Sequence, residues 1–575
     1  SNERYDNTQL LVDNLVEEAK RTRFSRYPIS AIVADGQGFS FAVPLDEPCI
    51  FRVGYEDGTA FIEFDFGLSP KSAKKSSQAT FSFIIYKIDP EWGFRDAIAR
   101  YYKFYPHLFQ KRVNYGGVIM PTGRIDKIQD PKDFHFLAHW EFPVYDEEYY
   151  RYNNQNGYLN LYYALPGTTY TVRIDREDKE HQTREYATQK TEERLEKALS
   201  HPNAPRNILF LASVRSMIQD EEGLWPFYPH YPVYCSGGMV CPCNPDPDLF
   251  SDENYICPNL AYYHIYFRRT FPCRSKTFVS LIRQGEKEGF RIDGVGIDCM
   301  AWHSLEFYNH NEEHFPYTDY PLTFHAKKPA IYNGISGYEY LKFVAEMLRE
   351  EGRFVAANLV NQVNPLWYAP WIDIPITEIS KIPQPDSICG YKRSLYYQKP
   401  FELLLLAHGS SFEALTDEEL LAYFHQSTFW GFYPSFHDAQ GDYDEPIEYY
   451  WLKPSLYNRD RPLFRKFIPI IEEINQAGWE PVTYAWTSDP MIFVERYGDS
   501  ADKGFYFTVW NNGESTTEFW VEIDALELGL DNGIEIRELI SEKEISYIFQ
   551  GGKIKLESRL EPQRTSVFSL TPNRK

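Results

Sequence analysis

Phe290-Arg-Ile-Asp293-Gly-Val-Gly-Ile-Asp298-Cys-Met300 decides how this chain is read. It follows a lysine- and glutamate-rich run of helical character, and its apolar residues alternate with a period of two before a carboxylate. An apolar strand that ends on an acid is how a parallel barrel presents chemistry at its C-terminal rim. Gly294 and Gly296 leave one strand face nearly bare, which admits close approach of a backbone or a ligand. The competing reading is a turn in which Asp298 caps the next helix.

Outward from this stretch, strand-like and helical segments alternate. Gly116–Met120, Phe134–Ala138 and Tyr158–Tyr162 read as strands before it, with helices over 184–200 and 275–288. After it come a helix over 336–351 and the strands Phe354–Asn358, Ile372–Ile376, Phe401–Leu405 and Phe432–Phe436, with a helix over 416–429. Eight strands with intervening helices predict an α/β fold, a (β/α)8 TIM barrel over 112–478 with a long insertion before strand four. An open doubly wound sheet is the alternative, but no Gly-rich phosphate fingerprint follows a first strand. Short alternating strands between 29 and 85, and an amphipathic helix over 93–105, predict an N-terminal β-sandwich with a linking helix over 1–111. A helix from Pro462 to Ala477 stops at Gly478, and period-two runs with Asn512-Gly513 and Asn532-Gly533 turns predict a C-terminal all-β domain over 479–575.

At 575 residues the chain exceeds a single core, and its 43% hydrophobic and 25% charged residues are those of a folded soluble protein. A net charge of −23 repels phosphate backbones and anionic membranes, so neither nucleic acid nor membrane is an expected partner. No run of 18 apolar residues predicts a membrane span, and no signal peptide is read at the N-terminus. Compartment and oligomeric state are not legible. Aromatic residues reach 17%, a surplus that suits stacking on sugar rings as well as large cores. Of the 8 cysteines, Cys235, Cys241, Cys243, Cys257 and Cys273 share one segment without paired Cys-x2-Cys spacing, so no metal and no cofactor is expected. Asn244-Pro-Asp246-Pro-Asp248 fits a calcium loop or an Asx-Pro turn.

Strand ends in a barrel carry the chemistry, and here they hold Trp140, Glu141, Asp298, Asn358, Glu378, His437 and Asp438. Asp298 and Glu378 are the expected catalytic pair. Glycoside cleavage needs one carboxyl to protonate the departing oxygen and another to attack, or to activate water, on the opposite face. Asp293 and Asp373 lie at strand starts and read as structural. Trp140, Glu141, Asn358, His437, Asp438 and the pair Trp302-His303 beyond Asp298 are the expected substrate contacts, with carbohydrate as the partner. No Gly-x-Ser-x-Gly elbow and no His-Glu-x-x-His motif supports a serine hydrolase or a zincin.

Three stretches, Trp92-Gly-Phe-Arg-Asp-Ala-Ile-Ala-Arg-Tyr-Tyr102, Asp293-Gly-Val-Gly-Ile-Asp298 and Leu560-Glu-Pro-Gln-Arg-Thr-Ser-Val-Phe568, give the chain a layout that resembles retaining α-glycosidases of the melibiase and α-amylase-like barrel groups. The resemblance implies a glycosidase acting on an α-linked sugar, with Asp298 as nucleophile. Glu378 stands where melibiase-like proteins carry an aspartate. Gly296 replaces the arginine that α-amylases place two residues before the nucleophile, which argues against a true amylase. A carbohydrate-binding or scaffold protein on a degenerate barrel is the alternative from a different class.

Overall fold

The computed structural model describes residues 25–572, apart from 57, 73, 75–77, 122, 142–145, 165–168, 231–237, 251–277, 301–306, 360–365, 380–381, 383–385, 407–411, 438–449 and 501–503. Trp302, His303 and Asp438 therefore lie outside the described residues.

Eight parallel strands form the central sheet: β1 (Val118–Met120), β2 (Phe136–Glu141), β3 (Leu159–Ala164), β4 (Gly294–Ile297), β5 (Phe354–Asn358), β6 (Ile374–Ile379), β7 (Phe401–Leu406) and β8 (Phe432–His437). Each pairs with its sequence neighbours from β1 through to β8. The ends come together where Ser435 Oγ of β8 donates to the Ile119 carbonyl of β1 at 2.5 Å. The result is a nearly closed (β/α)8 barrel, the fold the alternation predicts; the open sheet is excluded.

Alternate residues of the strands fill the interior. Ala138 and Trp140 of β2, Leu161 and Tyr163 of β3, Ala356 of β5, Ile374 and Ile376 of β6, and Leu404 of β7 pack as one apolar cluster. Because the side-chain period along a strand is two, stepping from Gly296, Ala356 and Ile376 gives Asp298, Asn358 and Glu378 above that cluster. The core thus aims three polar side chains at one place.

Antiparallel sheets flank the barrel. On the N-terminal side are a three-stranded sheet (Ile32–Ala34, Gln37–Ala42, Ile84–Ile88) and a two-stranded one (Ile50–Glu56, Thr59–Asp65). The helix Phe94–Phe104 buries Phe94, Ala97, Ile98, Tyr101 and Tyr102, the face its spacing predicts. On the C-terminal side a six-stranded and a four-stranded sheet contribute Phe507, Val521, Ile554, Leu556 and Phe568 to one core.

Four sequence expectations are corrected. The helix expected from Pro462 begins at Pro454 and carries Pro462 and Pro469 inside it; the first-turn proline that marks its start is Pro454, since a first-turn residue has no intrahelical N–H bond to lose. β6 runs to Ile379, so Glu378 is part of the strand and not beyond its end. Helices Glu147–Gln155, Pro205–Ser216 and Asp386–Tyr396 were not expected. Besides the insertion before β4, a second one between β4 and β5 forms a small sheet of Tyr308–Asn309, Thr323–His325 and Lys328–Tyr332.

Candidate active site

Asp298 is the first residue beyond β4, and three donors converge on its carboxylate. Tyr163 at the end of β3 donates its hydroxyl to Oδ2 at 2.5 Å. The amide of Asn358, at the end of β5, donates to Oδ1 at 2.8 Å, and the backbone N–H of Cys299 donates to the same oxygen at 2.9 Å. Cys299 reaches this position with φ of +51°, in the left-handed region that a non-glycine residue adopts only under constraint. The Met300 N–H to the Asn358 carbonyl, 3.2 Å, fixes the turn to the next strand.

The same Asn358 nitrogen donates to Glu378 Oε1 at 2.5 Å. Bonds of 2.8 and 2.5 Å laid end to end limit the separation of Asp298 Oδ1 and Glu378 Oε1 to about 5.3 Å. One amide therefore bridges two acids from different strands and keeps these oxygens closer than the roughly 6.5–9.5 Å at which an inverting glycosidase holds its pair.

Electrostatics separates the two groups. Burial raises both carboxyls above their ordinary range. For Asp298 the rise is opposed by Tyr163, Asn358 and Cys299, which all stabilise the anion. Glu378 has only Asn358 to oppose burial and the nearby Asp298 charge, and is pushed up to about 8. At neutral pH the proton of the pair sits on Glu378, the carboxyl with fewer donors.

Trp140 does not reach the rim, contrary to its expected substrate contact. It is 3% exposed, its indole donates to the Gly296 carbonyl at 2.9 Å, and its ring stacks on Tyr163 with centroids 5.8 Å apart. A Cβ built on Gly296 would stand 2.0 Å from that ring, so the bare face of β4 admits an aromatic from the next strand but one. Gly294 has no room because the Phe354 carbonyl lies against it, 2.1 Å from such a Cβ. Glu141 and His437 end β2 and β8, with His437 half-buried. Asn358 belongs to the carboxylate pair. Tyr163 was missed, although continuing the alternation Leu159, Leu161 to the strand end leads to it.

Asp293 and Asp373 stand at the opposite barrel end, as their position at strand starts predicts. Asp293 accepts from Arg291 and the Asn160 N–H, both at 2.9 Å, and Asp373 from Arg349 at 3.1 Å and the Val355 N–H at 3.0 Å. Asn244 and Asp246 each accept from the backbone N–H two residues on, and Lys74 bonds to Asp248 at 3.0 Å. Asx turns account for this segment, with an ammonium beside it. Cys241 and Cys243 are buried free thiols, both raised by burial. Among the described residues no helix is long and apolar enough to cross a membrane.

No protein-family model matches the chain, and no curated protein matches it by sequence. Similar solved structures include a cycloalternan-degrading enzyme from Trueperella pyogenes, 10% identical over 96% of this chain and 74% of that one, with a TM-score of 0.49. An alpha-N-acetylgalactosaminidase from Bifidobacterium bifidum is 9% identical over 84% and 73%, with a TM-score of 0.41. An alpha-amylase from H. orenii is 9% identical over 80% and 100%, with a TM-score of 0.39. These proteins bear the names of glycoside hydrolases. The barrel assignment rests on the strand order above, and the functional reading on the two carboxylates.

Proposed function

We propose that this protein is a glycoside hydrolase that retains configuration, with Asp298 as nucleophile and Glu378 as acid and base. The observation that carries the proposal is the Asn358 amide shared by both carboxylates, which holds them within about 5.3 Å. In the first step an Asp298 oxygen bonds to the anomeric carbon, the bond to the departing oxygen breaks, and the Glu378 proton goes to that oxygen. Asp298 then carries a neutral ester. With the Asp298 charge gone, one influence that raises Glu378 disappears and its ionised form gains stability, as a base requires. Water gives its proton to Glu378, its oxygen takes the anomeric carbon, and Asp298 leaves as carboxylate. Asn358 and Tyr163 position the two acids. The α-linkage is an inference from the resemblance of the sequence alone.

A panel of α- and β-linked aryl glycosides, read by release of the aryl group, tests this reading. The native chain is expected to cleave at least one α-linked member. Asp298→Asn should lower kcat by 10⁴-fold or more, as an amide cannot form the ester, on the order of a lost nucleophile. Glu378→Gln should lose about 10²–10⁴-fold on substrates with poor leaving groups and much less on activated ones. Near-normal turnover by Asp298→Asn would make that residue structural. No cleavage of any panel member by the native chain would favour the carbohydrate-binding alternative.

A further inference from the structure

The insertion before β4 and the one after it meet at three side chains that share a donor set with zinc centres. Glu221 lies in the loop after helix Pro205–Ser216, His310 directly follows the strand Tyr308–Asn309 of the second insertion, and His325 ends its strand Thr323–His325. One ligand atom from each falls within 4.8 Å of the other two. His310 Nε2 and His325 Nδ1 are 3.1 Å apart. Two nitrogens bound tetrahedrally at about 2.0–2.1 Å would lie roughly 3.3 Å apart, so the rings need to move only a few tenths of an ångström.

All three groups are held in advance. The His325 ring lies flat on Tyr308, centroids 4.1 Å apart and planes 1° from parallel. Ala326 and Lys327, both at positive φ, close the tight turn that pairs His325 with Lys328. His310 is buried, and its backbone N–H donates to the Gln219 carbonyl at 2.8 Å. The turn bearing Glu221 is built on Asp220, which accepts from the N–H groups of Glu222 and Leu224 and from Arg184. Lys328 donates to the Glu221 carbonyl at 2.6 Å, which fixes the loop but adds one opposing positive charge.

We propose that Glu221, His310 and His325 bind a divalent transition ion, zinc first, that fastens the two insertions together. Two imidazoles and one carboxylate select zinc over the hard cations, which prefer all-oxygen shells. Three protein ligands leave a fourth position for water.

The test uses the full chain, stripped with a chelator and then equilibrated with zinc or cobalt(II) alone. One zinc per chain by elemental analysis is expected after gel filtration. The cobalt form should show the intense visible bands of a four- or five-coordinate site, and zinc should raise the unfolding temperature of the stripped chain. His310→Ala and His325→Gln should each abolish all three signals, Glu221→Gln should weaken zinc binding about tenfold or more, and the exposed-site control His201→Ala should change none of them. A native chain that takes up no zinc at micromolar concentration, or whose cobalt spectrum equals the free aquo ion, overturns the proposal even if the variants fail to fold. So does stoichiometric zinc that persists in the folded His310→Ala and His325→Gln variants. None of these readouts requires glycosidase activity.

Discussion

In the proposed mechanism, Tyr163 is the side chain that distinguishes the two acids. Its hydroxyl donates to Asp298 Oδ2 at 2.5 Å. Tyr163→Phe removes one of three donors to the Asp298 anion and leaves the ring stacked on Trp140. The acid limb of the pH–rate profile should therefore move up by about one unit, with kcat at neutral pH falling roughly tenfold, as suits the loss of a hydrogen bond to a charged group. The alkaline limb follows from Glu378. Glu378 must hold a proton to act as acid, so kcat/KM should fall as pH rises through about 8. An initial-rate profile of both proteins checks both limbs. The same shift has a consequence for stability. A carboxyl raised from 4.5 to about 8 binds its proton more tightly folded than unfolded, so stability is lost as pH rises from about 4.5 to 8. Glu378→Gln should thus melt higher than the native chain at pH 8, with little difference at pH 4. Equal melting shifts at both pH values would show that Glu378 is not held protonated.

Among the elements, β4 depends most on its neighbours. Its four residues contribute two glycines, and each is required by a different atom: the Phe354 carbonyl at Gly294 and the Trp140 ring at Gly296. Gly296→Ala drives a methyl into an indole that already hydrogen-bonds the same residue's carbonyl. Overpacking of this kind costs about 1–3 kcal/mol and would displace Trp140, Tyr163 above it and then Asp298. A lower unfolding temperature together with a loss of turnover larger than the stability loss explains is expected. Trp140→Leu in the same chain should recover part of the stability by vacating the space. The period-two alternation made these strands legible, because the inward rows end on residues of a different chemistry from the rows themselves. Helix Glu147–Gln155 lacks such a signal: it is rich in polar and tyrosine residues and is fixed by its Asp146 cap, which accepts from the Tyr149 N–H at 3.1 Å.

At the scale of the whole molecule, two of the sequence stretches that carried the resemblance are joints between parts. Arg95, in the Trp92–Tyr102 stretch, makes a two-pronged bond to Glu495 of the C-terminal sheet at 2.8 and 3.1 Å, and Trp479 donates to the same carboxylate. Thr565, in the Leu560–Phe568 stretch, donates its hydroxyl to the His425 carbonyl on barrel helix Asp417–Trp430. Glu495 is fully buried, so Arg95→Ala leaves an uncompensated charge and should cost about 3–5 kcal/mol. Replacing both Arg95 and Glu495 with methionine should be milder than Arg95→Ala alone. Differential scanning calorimetry of the native chain and both variants decides this; a double variant no better than the single one would show that the pair itself supplies the stability.

The sequence alone determined the barrel and its flanking β parts and placed Asp298 and Glu378 at strand ends, because periodicity and strand-end chemistry are local properties written in a few adjacent residues. It could not determine that Asn358 joins those acids, that Trp140 fills the face Gly296 leaves bare, or that Glu221 meets His310 and His325. Each of these is a meeting of residues far apart in the chain, set by strand stagger and by where insertions fold back. Only the tertiary structure carries that information, since hydrogen bonds and excluded volume act between neighbours in space, whatever their distance in sequence.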